Sequence, residues 1–280
     1  MTAPATVVVV AFRTPHLDLA WVPADAPAVV VHNDDALDPA SVDHAHVTHV
    51  FAGRNVGFGA AVNLALPSVT TERVVLCNPD MSLTREHWDA LAGGRPDDVV
   101  AVPLVDGEGR PTSVVNRRYG PLGVVASGYR LGRLLRRGTR LRGAVLRASG
   151  SWGREHEDLQ RSAAGTFPLA SHWVSGAATG FDAGRLRAVG GFDPGFFLYF
   201  EDVDLCRRLA HRFPDMRIVL APVAPGIHLV GGSKGVGAEQ RLVDRLHLAA
   251  ARRFAATGTG PAWRAAGLAL APRARWLDRR

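Results

Sequence analysis

The chain has only two cysteines in 280 residues. Cys77 and Cys206 each sit in an apolar stretch with no partner at ligand spacing. A disulfide framework and a cysteine metal site are thereby excluded, and buried thiols in a reducing compartment are expected. Also missing is any charge-free apolar run of some 18 or more residues, so no transmembrane helix is expected. The N-terminus, Met1-Thr-Ala-Pro-Ala-Thr-Val-Val-Val-Val10, has no basic n-region and reads as a first strand, not as a signal peptide. No internal repeat and no recognised nucleic-acid module appear, so nucleic acid is not expected as a partner. What remains is an ordinary globular balance of 47% apolar and 21% charged residues. That suits one large α/β domain with appendages.

The net charge of +7 is unevenly placed. Arg130, Arg133, Arg136, Arg137, Arg140, Arg142 and Arg147 fall in one short segment that holds no acid and is interleaved with leucines. Such a basic, amphipathic segment suits anionic lipid headgroups or a lipid pyrophosphate. The C-terminus repeats the theme, mixing Trp263, Leu268, Leu270 and Trp276 with Arg264, Arg273, Arg275, Arg279 and Arg280. A solvated arginine-rich face is the plainer reading of both. Attachment to the inner, cytoplasmic face of a membrane is the functional one.

Strand and helix patterns alternate along the chain. Val7 to Phe12 and Ala28 to His32 are continuous apolar runs, as in strands buried on both faces of a parallel sheet. Val47 to Ala52, Arg73 to Cys77, Val99 to Val105, Ala170 to Ser175 and Arg217 to Ala221 read as further strands. Helices are expected over Gly59 to Leu66, Arg85 to Leu91, Ala183 to Val189 and Glu239 to Ala256. Asp182 is placed to cap the third of these and Gly190 to end it. Asp106-Gly107 signals a hairpin turn. Pro15, Pro23 and Pro27 leave only a short or irregular crossover between the first two strands.

The densest chemistry lies in Val189-Gly-Gly-Phe-Asp-Pro-Gly-Phe-Phe-Leu-Tyr-Phe-Glu-Asp-Val-Asp-Leu-Cys206. From Val203 onward the apolar residues follow helical spacing, which puts Glu201, Asp202 and Asp204 at or just before a first turn. Acids there are usually dipole compensation. The glycines and the aromatic residues Phe196, Phe197, Tyr199 and Phe200 before them instead suggest a sugar site. Leu76-Cys-Asn-Pro-Asp-Met81 follows a strand, and Arg54-Asn-Val-Gly-Phe-Gly-Ala-Ala-Val-Asn63 runs into a helix whose free N–H groups suit an anion. His44, His46 and His49 read as surface residues.

These motifs, from Gly53 to roughly Gly237, resemble family 2 glycosyltransferases and, within them, the rhamnosyltransferase-like branch. The resemblance implies an α/β GT-A fold, Rossmann-like with a mostly parallel central sheet, and a C-terminal helical extension. It divides the chain into a transferase domain over 1–237 and a C-terminal helix and basic tail over 238–280. Within the domain, 1–100 is the nucleotide-sugar half and 101–237 the acceptor half, with a basic insert at 127–150. It assigns Asp202 as general base with Glu201 orienting it, and metal ligation by Asp80 and His228, the latter ahead of Gly231-Gly-Ser-Lys234. Donor contacts fall to Phe12, Arg13, Asn33, Asp34, Asn55, Gly57, Asn63, Asn78 and Asp80. Acceptor contacts fall to Trp173, Gly176, Tyr199 and Asp204, although Trp173 is as readily a core residue. A divalent cation, magnesium or manganese, is the implied cofactor. The implied partners are a nucleotide-sugar donor, favoured as dTDP-rhamnose, and a cell-envelope or polyprenyl-linked glycan.

Two strand ends depart from the family pattern. Phe12-Arg13 stands where a Tyr-Asn-like pair is usual, and His32-Asn-Asp-Asp35 stands where Asp-Asn-x-Ser is usual. His32 thus replaces the base-contacting Asp, unless Asp34 or Asp35 takes over. A transferase for galactofuranose or glucose, or a non-catalytic sugar-nucleotide-binding relative, stays open.

Overall fold

The computed structural model describes residues 5–130, 164–229 and 238–278. Arg133 to Arg147 and Gly231 to Lys234 lie outside the described residues, so the basic insert is described only up to Arg130.

Strands β1 (Ala5–Ala11), β2 (Ala28–His32), β3 (Val47–Phe51) and β4 (Arg73–Cys77) form a parallel block in the order β3-β2-β1-β4. Every residue of β1, β2 and β4 is buried, which is why these runs are rich in valine and other apolar residues. The sheet continues through β6 (Asp98–Ala101), β9 (Gly165–Pro168), β11 (Ala178–Asp182) and β12 (Arg217–Leu220), in the order β4-β11-β6-β12-β9. Strand β11 is antiparallel to both neighbours, whereas β6 and β12 are parallel. The result is a mostly parallel eight-stranded sheet.

Its helices are α1 (Phe58–Ala65), which packs on β1 and β2, and α2 (Arg85–Ala92), which packs on β4, β6 and β11. Helices α3 (Pro121–Gly128), α4 (Ala183–Ala188), α5 (Glu201–Arg212), α6 (Ala238–Thr257) and α7 (Pro261–Asp278) complete the set among the described residues. Asp182 caps α4 through the Arg185 N–H, and Gly190, at φ 75°, ends it, as the residue types require.

Several details differ from the sequence reading. The run Val99 to Val105 is two strands, because Pro103 has no N–H for the ladder and the chain leaves the large sheet there. The second piece, β7 (Leu104–Asp106), joins β5 (Met81–Ser82) and β13 (Gly226–His228) in a small sheet of order β5-β13-β7. Helix α5 begins at Glu201, two residues before the apolar stripe. Residues 14–27 form no helix, as the prolines dictate, and Leu17, Leu19, Trp21 and Val22 are buried in the main core, with Trp21 against Trp88 of α2. His44 and His49 are not plain surface residues: His44 Nε2 lies 2.7 Å from the Ala26 carbonyl, and His49 pairs with buried His32.

The C-terminus is a hairpin of two helices rather than one helix and a tail. Helices α6 and α7 pack with α3 in a second apolar core that includes Phe196, Phe200 and Val203. Arg130, expected on a free basic face, instead pairs with Asp244 of α6 at 3.1 Å.

Candidate active site

Parallel α/β sheets expose their ligand sites beyond the carboxyl ends of the strands. At the end of β1, Phe12 is 39% exposed and Arg13 adopts φ 53°. The Arg13 N–H donates to Asp34 Oδ2 at 2.7 Å, so the carboxylate beyond β2 fixes this unusual backbone. Asp34 Oδ1 also accepts from the Ala36 N–H. Phe12, Arg13 and Asp34 therefore do converge on one sheet end. His32 does not face them: its Nε2 lies 2.8 Å from His49 Nδ1 and its ring stacks on Phe51 at 4.6 Å. Burial, with His49 beside it, pushes the His32 pKa down, which favours the neutral ring.

Asn33 is buried and works as a brace. Its Oδ1 accepts from the Val56 N–H at 2.9 Å and its Nδ2 donates to Asn55 Oδ1 at 3.1 Å. Asn55 Oδ1 in turn accepts from the Gly57 N–H at 3.0 Å. This network sets the loop into α1, where Gly57 takes φ 86°. A Cβ at Gly57 would overlap the Phe197 carbonyl oxygen, which the Phe58 N–H contacts at 3.2 Å. The glycine is needed because the donor-side loop and the acceptor-side loop touch here, backbone to backbone.

Asn63, expected to contact the donor, is bonded to the acceptor-side loop of the chain itself. Its Nδ2 donates to the Phe192 carbonyl at 2.8 Å and its Oδ1 accepts from the Phe192 N–H at 2.9 Å. Both ends of the amide are spent on clamping the acceptor loop to α1.

Asp80 and His228 come together as the motifs imply. Strand β13 inserts between β5 and β7, pairing His228 with Met81, and the Leu229 N–H donates to the Asp80 carbonyl at 2.9 Å. Ring nitrogen Nε2 of His228 lies 3.3 Å from Asp80 Oδ1, with the side chains 19% and 33% exposed respectively. His87, from the Thr84 capping box of α2, reaches the Ala224 carbonyl at 2.8 Å and anchors the approach to β13. Among the described residues no three His, Cys, Asp or Glu side chains gather as a ligand cluster. One carboxylate and one imidazole suit a cation that completes its shell with substrate phosphate and water, the usual habit of Mg²⁺. The donor set fits a shared ion, not an all-protein cage.

Asp202 opens α5, and its Oδ2 accepts from the Gly176 N–H at 3.2 Å. A Cβ at Gly176 would meet Asp202 Oδ1 at 3.0 Å and the Phe58 ring at 3.4 Å. Gly176 thus positions the acid rather than binding the acceptor. The neighbouring Asn78 N–H donates to the Ala177 carbonyl at 2.8 Å, so one backbone step links the residue that holds Asp202 to the Asn78-Pro-Asp80 turn. Glu201 is buried, and its Oε2 has no hydrogen-bond partner. Burial raises the pKa of both acids, and the Asp202 charge adds to the rise at Glu201, while the Gly176 N–H works against it at Asp202. Two adjacent carboxyls with upward-shifted pKa values are what a general base and a protonated neighbour need.

Asp204, Trp173 and Tyr199 turn out to be braces. Buried Asp204 accepts from Arg207 Nη2 at 2.7 Å and Arg208 Nε at 2.6 Å. Trp173 of β10 (His172–Val174) donates its indole N–H to the Arg117 carbonyl at 3.0 Å and packs between the two apolar cores. The Tyr199 ring rests against His247 at 5.1 Å. Breaking a buried ion pair from one side costs about 3–5 kcal/mol. Asp204→Ala is therefore expected to lose stability toward the low end of that range in urea titration, because both arginines keep some solvent. Donor affinity of the folded fraction should stay as in the wild type. Undiminished stability with a weakened acceptor KM would return Asp204 to the binding site.

Both cysteines are free and buried, and burial raises their thiol pKa values, in keeping with inert core residues.

No protein-family model matches the chain, and no curated protein matches it. Solved structures do. GalNAc-T7, crystallised with UDP, GalNAc and Mn²⁺, aligns over 99% of this chain with a TM-score of 0.50 and 9% identity. The chain has the GT-A fold. It spans 55% of the length of that GalNAc-T7 chain. Two further GT-A structures align with TM-scores of 0.48. The mannosyltransferase PcManGT from Pyrobaculum calidifontis, in complex with GDP-Man and Mn²⁺, is 16% identical over 100% of this chain and 89% of its own. S. aureus TarS 1–349 with UDP-GlcNAc is 12% identical over 96% of this chain and 70% of its own.

Proposed function

We propose that the chain is a metal-assisted glycosyltransferase that inverts the anomeric centre of a nucleotide sugar. The observation that carries this reading is the meeting of Asp80, in the turn after β4, and His228 of β13 at 3.3 Å, far apart in sequence, within a GT-A fold. GalNAc-T7 and PcManGT, which have related folds, were solved with Mn²⁺.

Asp202 takes the proton of an acceptor hydroxyl as that oxygen attacks the anomeric carbon. The bond from that carbon to the diphosphate breaks on the opposite face, and the diphosphate leaves with the electron pair. Glu201 keeps its proton in the apolar wall and leaves Asp202 as the one ionised carboxylate of the pair. Asp80 and His228 would hold a divalent cation, which when bound would supply charge neutralisation for the leaving diphosphate. The Asn33–Asn55 brace and Gly57 shape the wall against which the donor lies.

The finer assignment rests on the motif resemblance: a family 2, rhamnosyltransferase-like enzyme using dTDP-rhamnose. Its acceptor is a cell-envelope or polyprenyl-linked glycan at the cytoplasmic face of the membrane. No helix among the described residues is long and apolar enough to cross a membrane. One observation favours a different donor. His32 is turned into His49, and the Asp34 carboxylate is engaged by two backbone N–H groups, so the usual base contact is rebuilt. The test is a nucleotide-sugar panel read by saturation binding and slow donor hydrolysis, with soluble and lipid-linked acceptors. Saturable binding of one donor with turnover supports the enzyme. Tight binding with no turnover on any acceptor makes the protein a sugar-nucleotide binder.

A further inference from the structure

The loop from Asp193 to Phe200 leads directly into the acid pair, and its last two residues are, among the described residues, the one consecutive pair of non-glycine residues with positive φ. Tyr199 and Phe200 adopt φ 72° and φ 64° in succession. An aromatic residue in the left-handed region crowds its Cβ against the backbone, and such residues persist only where their surroundings over-determine them. Here the reversal aims the first turn of α5, so that Asp202 meets the Gly176 N–H. Outside the C-terminal hairpin, this loop is held on its near side through Asn63 on Phe192 and the Phe58 N–H on Phe197, and Tyr119 packs on Phe200 at 5.3 Å.

The far side is held by α6. Arg253 donates from Nη2 to Asp193 at 2.9 Å and 2.8 Å, and from Nε at 3.3 Å. Its guanidinium lies 5.2 Å from the Phe196 ring centroid and covers Gly195, where any Cβ would overlap it. Phe254 packs on Phe200 at 5.4 Å, and His247 lies against both strained rings. On the same helix end, Arg207 of α5 donates to Thr257 Oγ1 at 2.8 Å.

We infer that the C-terminal hairpin belongs to the catalytic apparatus: the Asp193–Arg253 strut is a positioning device that keeps the Tyr199–Phe200 reversal, and hence Asp202, in its working orientation. Arg253 is a positioning residue, since it touches the loop and none of the candidate reacting groups. Lysine cannot reproduce the fork that grips both carboxylate oxygens while covering Gly195. The pair is half-exposed, so its removal should leave the global fold intact.

The kinetic arm of the test rests on the transferase reading, and the structural arm does not. Arg253→Ala and Asp193→Ala in the full chain should each lower kcat about tenfold, which is 1.4 kcal/mol. Donor Kd should not move, the double variant should be no worse than either single one, and Arg253→Lys should recover only part of the loss. Amide hydrogen exchange of residues 195–203 should accelerate about tenfold in the single variants, while β1 and β4 keep wild-type protection. Unchanged exchange in that loop overturns the strut whatever the kinetics show. Additive effects of the two substitutions, or exchange that rises equally in β1 and β4, overturn it as well. A wild-type protein that turns over no nucleotide sugar removes the transferase reading, and the exchange arm then still decides the strut.

Discussion

Asp202→Asn should abolish sugar transfer, by a factor of about 100 to 10,000, the usual worth of a general base. Nucleotide-sugar binding should survive, because Asp202 belongs to the α5 and Gly176 side of the site and makes no bond to the β1 and β2 ends. Glu201→Gln is the contrasting variant. Burial and the Asp202 charge raise the Glu201 pKa, so this side chain is neutral while Asp202 is ionised, and glutamine imitates that neutral form. Glu201→Gln should therefore keep most of its activity.

The two variants also differ in pH behaviour. The base must be ionised, so the rate falls as pH drops through the Asp202 pKa. Burial places that acid limb above the ordinary aspartate value of about 3.9. The sign for folding is the reverse. With a raised native pKa, the folded state holds the Glu201 proton more tightly than the unfolded chain does. Stability from that term is complete below the unfolded pKa and declines as pH rises through the native one. Glu201→Gln should remove that decline while leaving the acid limb of the rate in place. Near-full activity in Asp202→Asn together with a dead Glu201→Gln would exchange the roles of the two residues.

How much of this was legible in the chain depended on what each residue type is used for. The valine runs of β1, β2 and β4 announced themselves because both faces of those strands are buried. Strand β11 did not. Its Ala178-Thr-Gly-Phe-Asp182 sequence looks like a loop, yet Gly180 is required because the Leu91 carbonyl of α2 sits where a Cβ would be. Helix α7 was hidden by Pro272 in its interior and by an alanine-rich sequence whose apolar face emerges only against α3 and α6. Strands β5 and β13, of two and three residues, are too short to carry any period.

The site shows the same division. Asp80, His228 and Asp202 could be picked out because their motifs combine residue type with position after a strand or before a helix. Asn63, Asp204 and Trp173 were expected among the ligand contacts, and in the structure each is tied to other parts of the chain. A loop held in a strained shape needs polar side chains to clamp its backbone, and those clamps have the same composition as a binding site. Arg253 lies 60 residues from Asp193, and nothing local in either sequence points to the other. His32 was visible as a departure from the family pattern. Its pairing with His49 follows only from the register of β2 on β3, which sets His32 beside Phe51.

Removal of divalent metal should stop turnover, and magnesium or manganese should restore it. The expectation follows from the donor set, one imidazole and one carboxylate at 3.3 Å, both partly open to solvent. Such a pair is too small to complete a cation's shell alone and is suited to sharing the ion with a diphosphate. Charge neutralisation of a leaving diphosphate is worth several kcal/mol, so Asp80→Ala should cost about a thousandfold in rate or more. His228→Ala should cost less, since the carboxylate carries the formal charge. Manganese binding gives a readout independent of activity. In paramagnetic resonance titrations with a nucleoside diphosphate present, the wild-type chain should take up one Mn²⁺ that Asp80→Ala fails to hold. Without the nucleotide the wild-type affinity should be weak, because the phosphate oxygens that would share the ion are then missing. The backbone should tolerate both substitutions, since β13 is held by its pairing with β5 and β7 and by His87 on the Ala224 carbonyl. Turnover that survives exhaustive chelation, with Asp80→Ala harmless, would reduce Asp80 and His228 to a hydrogen bond at a strand edge, and charge stabilisation would then have to come from arginine.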